Sequence, residues 1–108
     1  MDQKNMVCTS VMHGLIGKKC VIRGDRSGVY FGEIVEYDGR FCKIVKCRRI
    51  WSWSGAASCF QIANDGLRYN GTKMTVAVDE IWITDAREII PVTEKAEKCL
   101  EGCPVWSA

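Results

Sequence analysis

The sequence lacks several features by which common functional classes are recognised. None of its hydrophobic runs approaches the roughly 18 residues of a membrane-spanning helix, and residues 1–5 lack the basic-then-apolar order of a secretory signal. Its charge is nearly balanced, with 15 basic and 13 acidic side chains and a net charge of +2. We therefore expect no membrane span, no secretion and no general coating of nucleic acid, which requires a strongly basic surface.

Residues suited to catalysis are also scarce. The chain contains one histidine, His13, and has no G-x-S-x-G motif, H-E-x-x-H motif or lysine-containing phosphate loop. A pairing of His13 with Cys8 would give a thiol nucleophile, but the spacing alone does not bring the two side chains together. The adjacent carboxylates Asp79 and Glu80 would point to opposite faces of a strand. The sequence therefore predicts a non-enzymatic protein without a cofactor.

Seven cysteines are present, but none forms a C-x-x-C motif. An odd number of cysteines without a secretory signal favours free thiols in a reducing cytosol over a disulfide framework. The pairs Cys42/Cys47 and Cys99/Cys103 would make a four-thiolate zinc site if the fold joined them, which the sequence does not decide. On a regular strand the odd spacing sets Cys42 and Cys47 on opposite faces. We expect small buried hydrophobic residues and no metal.

The 108 residues suit a single domain, and their pattern predicts a β-rich α+β fold. The expected architecture is a curved antiparallel sheet or small SH3-like barrel of five or six strands, within a body over 18–90. Strands are predicted over 18–23, 29–37, 40–47, 73–78, 81–84 and 86–90, with a turn over 24–28 and a loop over 67–72. Helices are predicted over 55–64, with Ser54 as N-cap, and over 93–101, with Thr93 as N-cap. Residues 1–5 are expected to be flexible, and residues 103–108 to form an apolar tail.

The hairpin between the second and third strands is the strongest local signal. Asp38-Gly39 between two strand-like runs predicts a two-residue turn, which would set Val35 opposite Cys42. Both faces of the sheet are then partly apolar, so each needs a covering layer. Gly32 inside the second strand indicates a bend or a bulge.

A block of basic, aromatic and small residues follows the third predicted strand. Its two arginines offer planar groups that suit phosphate, and its two tryptophans offer faces on which a base stacks. The Ser-Gly pair after them would open the central helix, where free N–H groups favour an anion. The predicted ligand-binding residues are Arg48, Arg49, Trp51, Trp53, Ser54 and Gly55. In the alternative interpretation the tryptophans belong to the core and the basic side chains are solvated.

The chain ends in the apolar segment Pro104-Val105-Trp106. Val105 and Trp106 are predicted to dock on the same subunit, on a partner or on a second copy of the chain. Because both faces of the sheet are partly apolar, a homo-oligomer is predicted.

Several segments together resemble a small domain of unknown function that is encoded by tailed phages. They are residues 28–32, 48–58, 77–81, 88–91 and 104–106. That family has no assigned activity, so the resemblance implies a phage protein in the host cytoplasm and, by analogy, a role against host defence. A shallower resemblance, over 19–45, is to SH3-like small barrels, which often bind RNA or proteins.

Taken with the basic and aromatic block, the resemblance implies a phage accessory protein that sequesters a nucleotide-type immune signal of the host. A first alternative is a protein-interaction module that inhibits a host defence protein through its apolar surface and tail. A second alternative is weak binding of RNA or single-stranded DNA by a small barrel.

Overall fold

The computed structural model describes residues 14–39 and 41–107, so Cys8, His13 and the segment 1–5 lie outside the described residues. The described elements are β1 (Lys19–Gly24), β2 (Val29–Tyr37), β3 (Cys42–Ser54), α1 (Cys59–Asp65), β4 (Arg68–Met74), β5 (Val78–Ile83), β6 (Ala86–Pro91) and α2 (Glu94–Glu101). The strands form one sheet in the order β4-β3-β2-β1-β6, and β5 pairs with β3. All pairs of strands are antiparallel. This confirms the predicted β-rich α+β fold, as an open sheet rather than a closed barrel.

β3 is the longest strand, and it is shared by three neighbours. Its segment 42–49 pairs with β2 along one edge. Along the opposite edge, 42–47 pairs with β5 and 50–54 pairs with β4. The basic and aromatic block therefore lies where the sheet branches from β5 to β4.

Two elements near this block differ from the prediction. The third strand continues to Ser54, and α1 begins at Cys59 rather than at Gly55, with Ser58 as its N-cap. The reason is that the alternating sequence after residue 47 finds a partner strand in β4, which includes most of the predicted loop over 67–72. The strand predicted over 73–78 is correspondingly divided between β4 and β5.

The hairpin between β2 and β3 is longer than predicted. Tyr37 pairs with Cys42, so these two residues flank the loop, and Val35 lies at a register shift instead of opposite Cys42. The carboxylate of Asp38 accepts a hydrogen bond of 2.7 Å from the N–H of Phe41. An aspartate that closes the loop in this way stabilises a wider turn than the predicted two-residue one.

The bulge that Gly32 indicated is present, and it changes which residues share a face. Lys46 in β3 has a φ of 52°, and the β2–β3 register shifts beside Gly32. A Cβ on Gly32 would come within 2.4 Å of Ile44 Cγ2, so a larger residue does not fit without movement.

Because of the extra residue in the bulge, Cys42 and Cys47 lie in the same buried cluster despite their odd spacing. The prediction that they face opposite sides of the strand is therefore wrong.

Both faces of the sheet carry buried apolar residues, as the mixed pattern of the hairpin predicted. The helix-side cluster contains Val21, Phe31, Ile50, Cys59, Ile62, Ala63, Met74, Leu100 and Cys103. The opposite cluster contains Cys20, Ile22, Tyr30, Ile34, Cys42, Ile44, Cys47 and Ile83. α2 is capped by Thr93, whose hydroxyl accepts a hydrogen bond of 3.1 Å from Ala96 N. Neither helix in the described ranges has the length and apolar character of a membrane span.

Candidate functional site

Three of the predicted ligand-binding residues line one groove at the branch point of the sheet. They stand at alternate positions of β3, and the turn between β1 and β2 forms the opposite wall. The groove has a volume of about 280 Å³. We call it the turn groove, and its main lining residues are Arg26, Ser27, Gly28, Arg49, Trp51 and Trp53.

Arg49 is held in the groove by an aromatic residue. Its guanidinium lies over the ring of Tyr30, 5.1 Å from the centroid, and its Nη2 donates a 2.9 Å hydrogen bond to the Tyr30 hydroxyl. That hydroxyl in turn donates to the carbonyl of Ser27 at 2.9 Å. Tyr30 therefore fixes the position of Arg49 relative to the turn.

The groove is lined by two cationic side chains, Arg26 and Arg49. The ion pairs found among residues 14–39 and 41–107 involve neither Arg26 nor Arg49. Arg26 is exposed and Arg49 is half-buried. Most of their guanidinium donors are therefore available to an anion that enters the groove.

The two tryptophans differ in how firmly they are held. Trp53 is half-buried against the helix-side cluster, and its Nε1 donates to the carbonyl of Ala56 at 3.1 Å. Trp51 is 60% exposed, and its ring stacks with that of Trp106 at a centroid distance of 6.4 Å. Trp53 therefore forms a fixed wall, whereas Trp51 presents indole surface to solvent.

The turn that carries Arg26 is stabilised by Asp85, which lies between β5 and β6. Its Oδ2 accepts hydrogen bonds from the backbone N–H groups of Arg26 (2.8 Å) and Ser27 (3.0 Å), and its Oδ1 accepts from Ser27 Oγ (2.7 Å). These bonds, first the one from Arg26, lower the pKa of Asp85 below its ordinary value. Gly24 leaves room for this contact, since a Cβ there would lie 2.1 Å from Ser27 Oγ.

Sequence reasoning missed Arg26, Tyr30 and Asp85. Residues 24–28 were seen only as a turn, and no local pattern points from them to a carboxylate 58 or 59 residues away. The pairing of β1 with β6 brings Asp85 to the turn. The glycines on either side of Asp-Arg-Ser are the signal of a close approach, since Gly24 leaves room for the side chains of Ser27 and Asp85.

Arg48 lies away from the groove. It is only 8% exposed, and its guanidinium donates to the carbonyls of Thr75 (2.8 Å), Leu100 (3.1 Å) and Pro104 (3.3 Å). The sequence predicted a phosphate contact for this residue. In the structure its donors instead join β3 to the end of α2 and to the C-terminal tail.

Ser54 and Gly55 also differ from their predicted setting. They do not open a helix, because α1 begins at Cys59. The N–H of Ser54 donates to Thr72 Oγ1 at 3.2 Å, as part of the contact between β3 and β4. Gly55 has a φ of 85° and approaches Arg68 closely, so it serves the turn that leaves the sheet. Ser54 and Gly55 therefore do not provide the free backbone N–H groups of a helix N-terminus that the sequence predicted.

The C-terminal tail docks on the same subunit. Val105 forms a parallel bridge with Met74, and the N–H of Trp106 donates to the carbonyl of Met74 at 2.8 Å. Val105 and Trp106 nonetheless remain 52% and 44% exposed. The ammonium of Lys73 lies 5.3 Å from the ring centroid of Trp106.

The six cysteines that the structure describes are dispersed and mostly buried. Cys42 and Cys47 lie in one cluster and Cys103 in the other. In the described part of the chain no group of three or more potential ligands is arranged to hold a metal ion. Burial raises the pKa of Cys20 and Cys47 to about 12 and that of Cys42 to about 11. These three thiols are therefore protonated at neutral pH and are poor nucleophiles.

Comparison with known proteins identifies the family. A family model described as a domain of unknown function, DUF6948, matches residues 17–100. The chain belongs to this family. The DUF6948 match includes every residue of the turn groove, whereas Val105 and Trp106 lie beyond it. No curated protein and no solved structure gives a significant match.

Proposed function

We propose that this DUF6948 domain is a non-enzymatic binding module whose turn groove takes a nucleotide-type ligand. The proposal is supported by one combination of features in a single groove. The groove contains two guanidinium groups that take part in none of the ion pairs of the described residues. It also contains one exposed and one fixed indole. Guanidinium groups suit phosphate and indoles suit a base, so the two halves of a nucleotide find complementary partners there.

Each lining residue has a proposed role. Arg49, oriented by Tyr30, contacts the phosphate, and Arg26 contacts it from the opposite wall. Trp51 stacks on the base, and Trp53 closes the groove behind it. Arg48, which the sequence placed in the site, instead holds the tail in our proposal, because its donors are already engaged.

We further propose the biological setting that the resemblance to phage-encoded domains implies. In this setting the protein acts in the cytoplasm of the infected host and sequesters a nucleotide signal of host immunity. The support for this setting is the resemblance of residues 28–32, 48–58 and 104–106. The chemistry of the groove is compatible with it but also suits other nucleotides.

Native mass spectrometry of the protein purified from host cells is the first test. A small molecule that is released on denaturation and has the mass of a nucleotide would support the groove and identify its ligand. The same spectrum measures the mass of the assembly and so tests the predicted homo-oligomer.

Titration of purified protein with adenosine and guanosine mono- and diphosphates, followed by tryptophan fluorescence, tests the residues directly. Loss of one charged hydrogen bond of about 1.5–3 kcal/mol predicts that Arg49→Gln weakens binding roughly 10- to 100-fold. Arg68→Gln is the matched control, because Arg68, like Arg49, takes part in none of the ion pairs of the described residues but does not line the groove. Equal affinities of wild type and folded Arg49→Gln, or equal losses in both variants, would contradict the proposed site.

A second candidate function, direct binding of a host protein, is favoured by a different observation. Trp51, Val105 and Trp106 are all largely exposed, and the two rings are stacked. A protein that copurifies in a fixed ratio from host lysate and is lost with Trp106→Ala would favour this function. If that partner remained bound to Arg49→Gln as well, the guanidinium of Arg49 would have no part in the interaction.

A further inference from the structure

A cation and an indole, Lys73 and Trp106, lie next to Trp51 and extend the surface of the turn groove. The ring of Trp51 stacks with Trp106 at an interplanar angle of 16°, and the ammonium of Lys73 lies 5.3 Å from the Trp106 centroid. We call Lys73 and Trp106 the tail shelf. Like the arginines of the groove, Lys73 is exposed and takes part in none of the ion pairs found in the described ranges.

The tail shelf is held in place by the folded chain. Trp106 donates its backbone N–H to Met74, and Val105 forms a bridge with the same residue. Arg48 donates from within the protein to the carbonyl of Pro104 at 3.3 Å. A surface that is ordered before binding loses less conformational entropy when a ligand arrives, so the shelf is suited to recognition.

We propose that the ligand is a short oligonucleotide with two linked nucleotides, the first in the turn groove and the second on the tail shelf. The inference rests on the proposed function and deepens it. A repeated unit of cation and indole matches the repeated unit of phosphate and base. The indole centroids are 6.4 Å apart, and our proposal assigns the bases on the two units to neighbouring nucleotides of one molecule.

Lys73 has to exchange its partner when the second nucleotide binds. Its ammonium faces the indole of Trp106 in the free protein, and an exposed contact of this kind is weak. The base takes the place of the ammonium on the ring, and the ammonium contacts the phosphate that links the two nucleotides. No covalent step is involved.

The test compares three 5′-phosphorylated adenylate probes of one, two and six nucleotides on the full chain, by fluorescence titration at one salt concentration. Stacking of the second base predicts that the dinucleotide binds roughly five- to 100-fold more tightly than the mononucleotide. The hexanucleotide is expected to bind within about threefold of the dinucleotide, since the proposed site has two units.

Two variants assign the gain to the tail shelf. Trp106→Ala is expected to reduce the ratio of dinucleotide to mononucleotide affinity to near one. Trp82→Ala is the matched control, because Trp82 is 48% exposed and also faces a lysine, with Lys43 Nζ 5.7 Å from its ring, but lies on β5.

The Lys73→Gln variant gives an independent test, because it does not alter the C-terminal tail itself. The slope of log affinity for the dinucleotide against log salt concentration is expected to fall by about 0.7, the value for one phosphate contact on a single strand. Lys95→Gln, an exposed lysine on α2, should leave the slope unchanged.

The outcomes separate the inference from the function on which it rests. Mononucleotide binding that is lost in Arg49→Gln, without a gain from the second nucleotide, would overturn the inference and leave the proposed function. Absence of binding to all three probes would overturn both. Affinity that keeps rising to the hexanucleotide would replace the two-unit ligand with single-stranded nucleic acid. A dinucleotide gain retained in folded Trp106→Ala or an unchanged salt slope in Lys73→Gln would remove the tail shelf from the site.

Discussion

Arg48 and Arg49 are neighbours in β3, yet the protein uses them in opposite surroundings. Arg48 is buried and donates to three backbone carbonyls that belong to other parts of the chain. Arg49 is half-buried and lines the turn groove, and its guanidinium donates a hydrogen bond to Tyr30. Residue type alone therefore does not distinguish a structural arginine from a candidate ligand contact. The face of the strand makes the difference.

Removal of the two guanidinium groups is expected to show this contrast most strongly. Arg48→Ala removes the donor of three carbonyls, of which that of Leu100 is buried, and one of the contacts that hold the tail, so we expect it to lower the free energy of unfolding by about 3 kcal/mol. Arg49→Ala loses one hydrogen bond and one contact with a ring, which predicts a loss of about 1 kcal/mol. Urea unfolding of both variants measures the difference. Equal losses of unfolding free energy in the two variants would contradict the expected difference between Arg48 and Arg49.

The bulge opposite Gly32 is expected to have the next largest effect. A methyl group at Gly32 would come within 2.4 Å of Ile44 Cγ2, and overpacking of this kind costs about 1–3 kcal/mol. We therefore expect Gly32→Ala to lower the unfolding free energy by about 2 kcal/mol in urea titrations. Glu33→Ala, the next position of β2 and only half-buried, is the control. A Gly32→Ala variant as stable as the wild type would mean that the bulge is not constrained by packing.

Asp85 provides a pH-dependent test of the groove wall. Because its pKa is lower in the folded protein than its ordinary value of 3.8, its contribution to stability is complete above that value. The contribution is lost as the pH falls through the folded pKa. Wild type should therefore melt at a higher temperature than Asp85→Asn near neutral pH, and the gap should close in acid. Thermal melts from pH 7 down to pH 2 measure it. A gap that widens in acid would contradict this account of Asp85.

The smallest expected effect concerns the rate at which the buried cysteine thiols are alkylated. Burial raises the pKa of Cys20, Cys42 and Cys47, so these residues should react with iodoacetamide at pH 8 only as fast as the protein opens. Among the described cysteines, Cys99 is half-buried and should be modified first. Peptide mapping by mass spectrometry after timed labelling ranks the sites. Early modification of Cys42 or Cys47 would show that their cluster is open to solvent.

Parts of the fold follow from local patterns that the sequence displays directly. β2 spans Val29–Tyr37, as the run of β-branched and aromatic residues predicted, and Thr93 caps α2 as expected. Gly32 indicated the bulge, because a glycine inside a strand often marks a bulge or a close approach of other parts of the chain. Each of these features is decided by neighbouring residues, so it is readable before any long-range contact is known.

The end of β3 was harder to predict because its partner comes later in the chain. Residues 50–54 form a strand by pairing with β4, and β4 contains Asn70-Gly71, which reads locally as a loop. Tryptophan and serine after two arginines are compatible with a strand, a turn or the approach to a helix. Only the pairing of two distant segments decides among these states.

For the candidate site, the chemistry is readable from the residues alone: two arginines and two tryptophans in one short block, and a glycine-flanked turn earlier in the chain. Which of these residues meet depends on how the strands pair. The left-handed conformation of Lys46 sets the phase of β3, which directs Arg49 to the groove and Arg48 to the tail. The pairing of β1 with β6 brings Asp85 to the turn. Side-chain direction along a strand depends on register, and register is a property of two chain segments that no single segment contains.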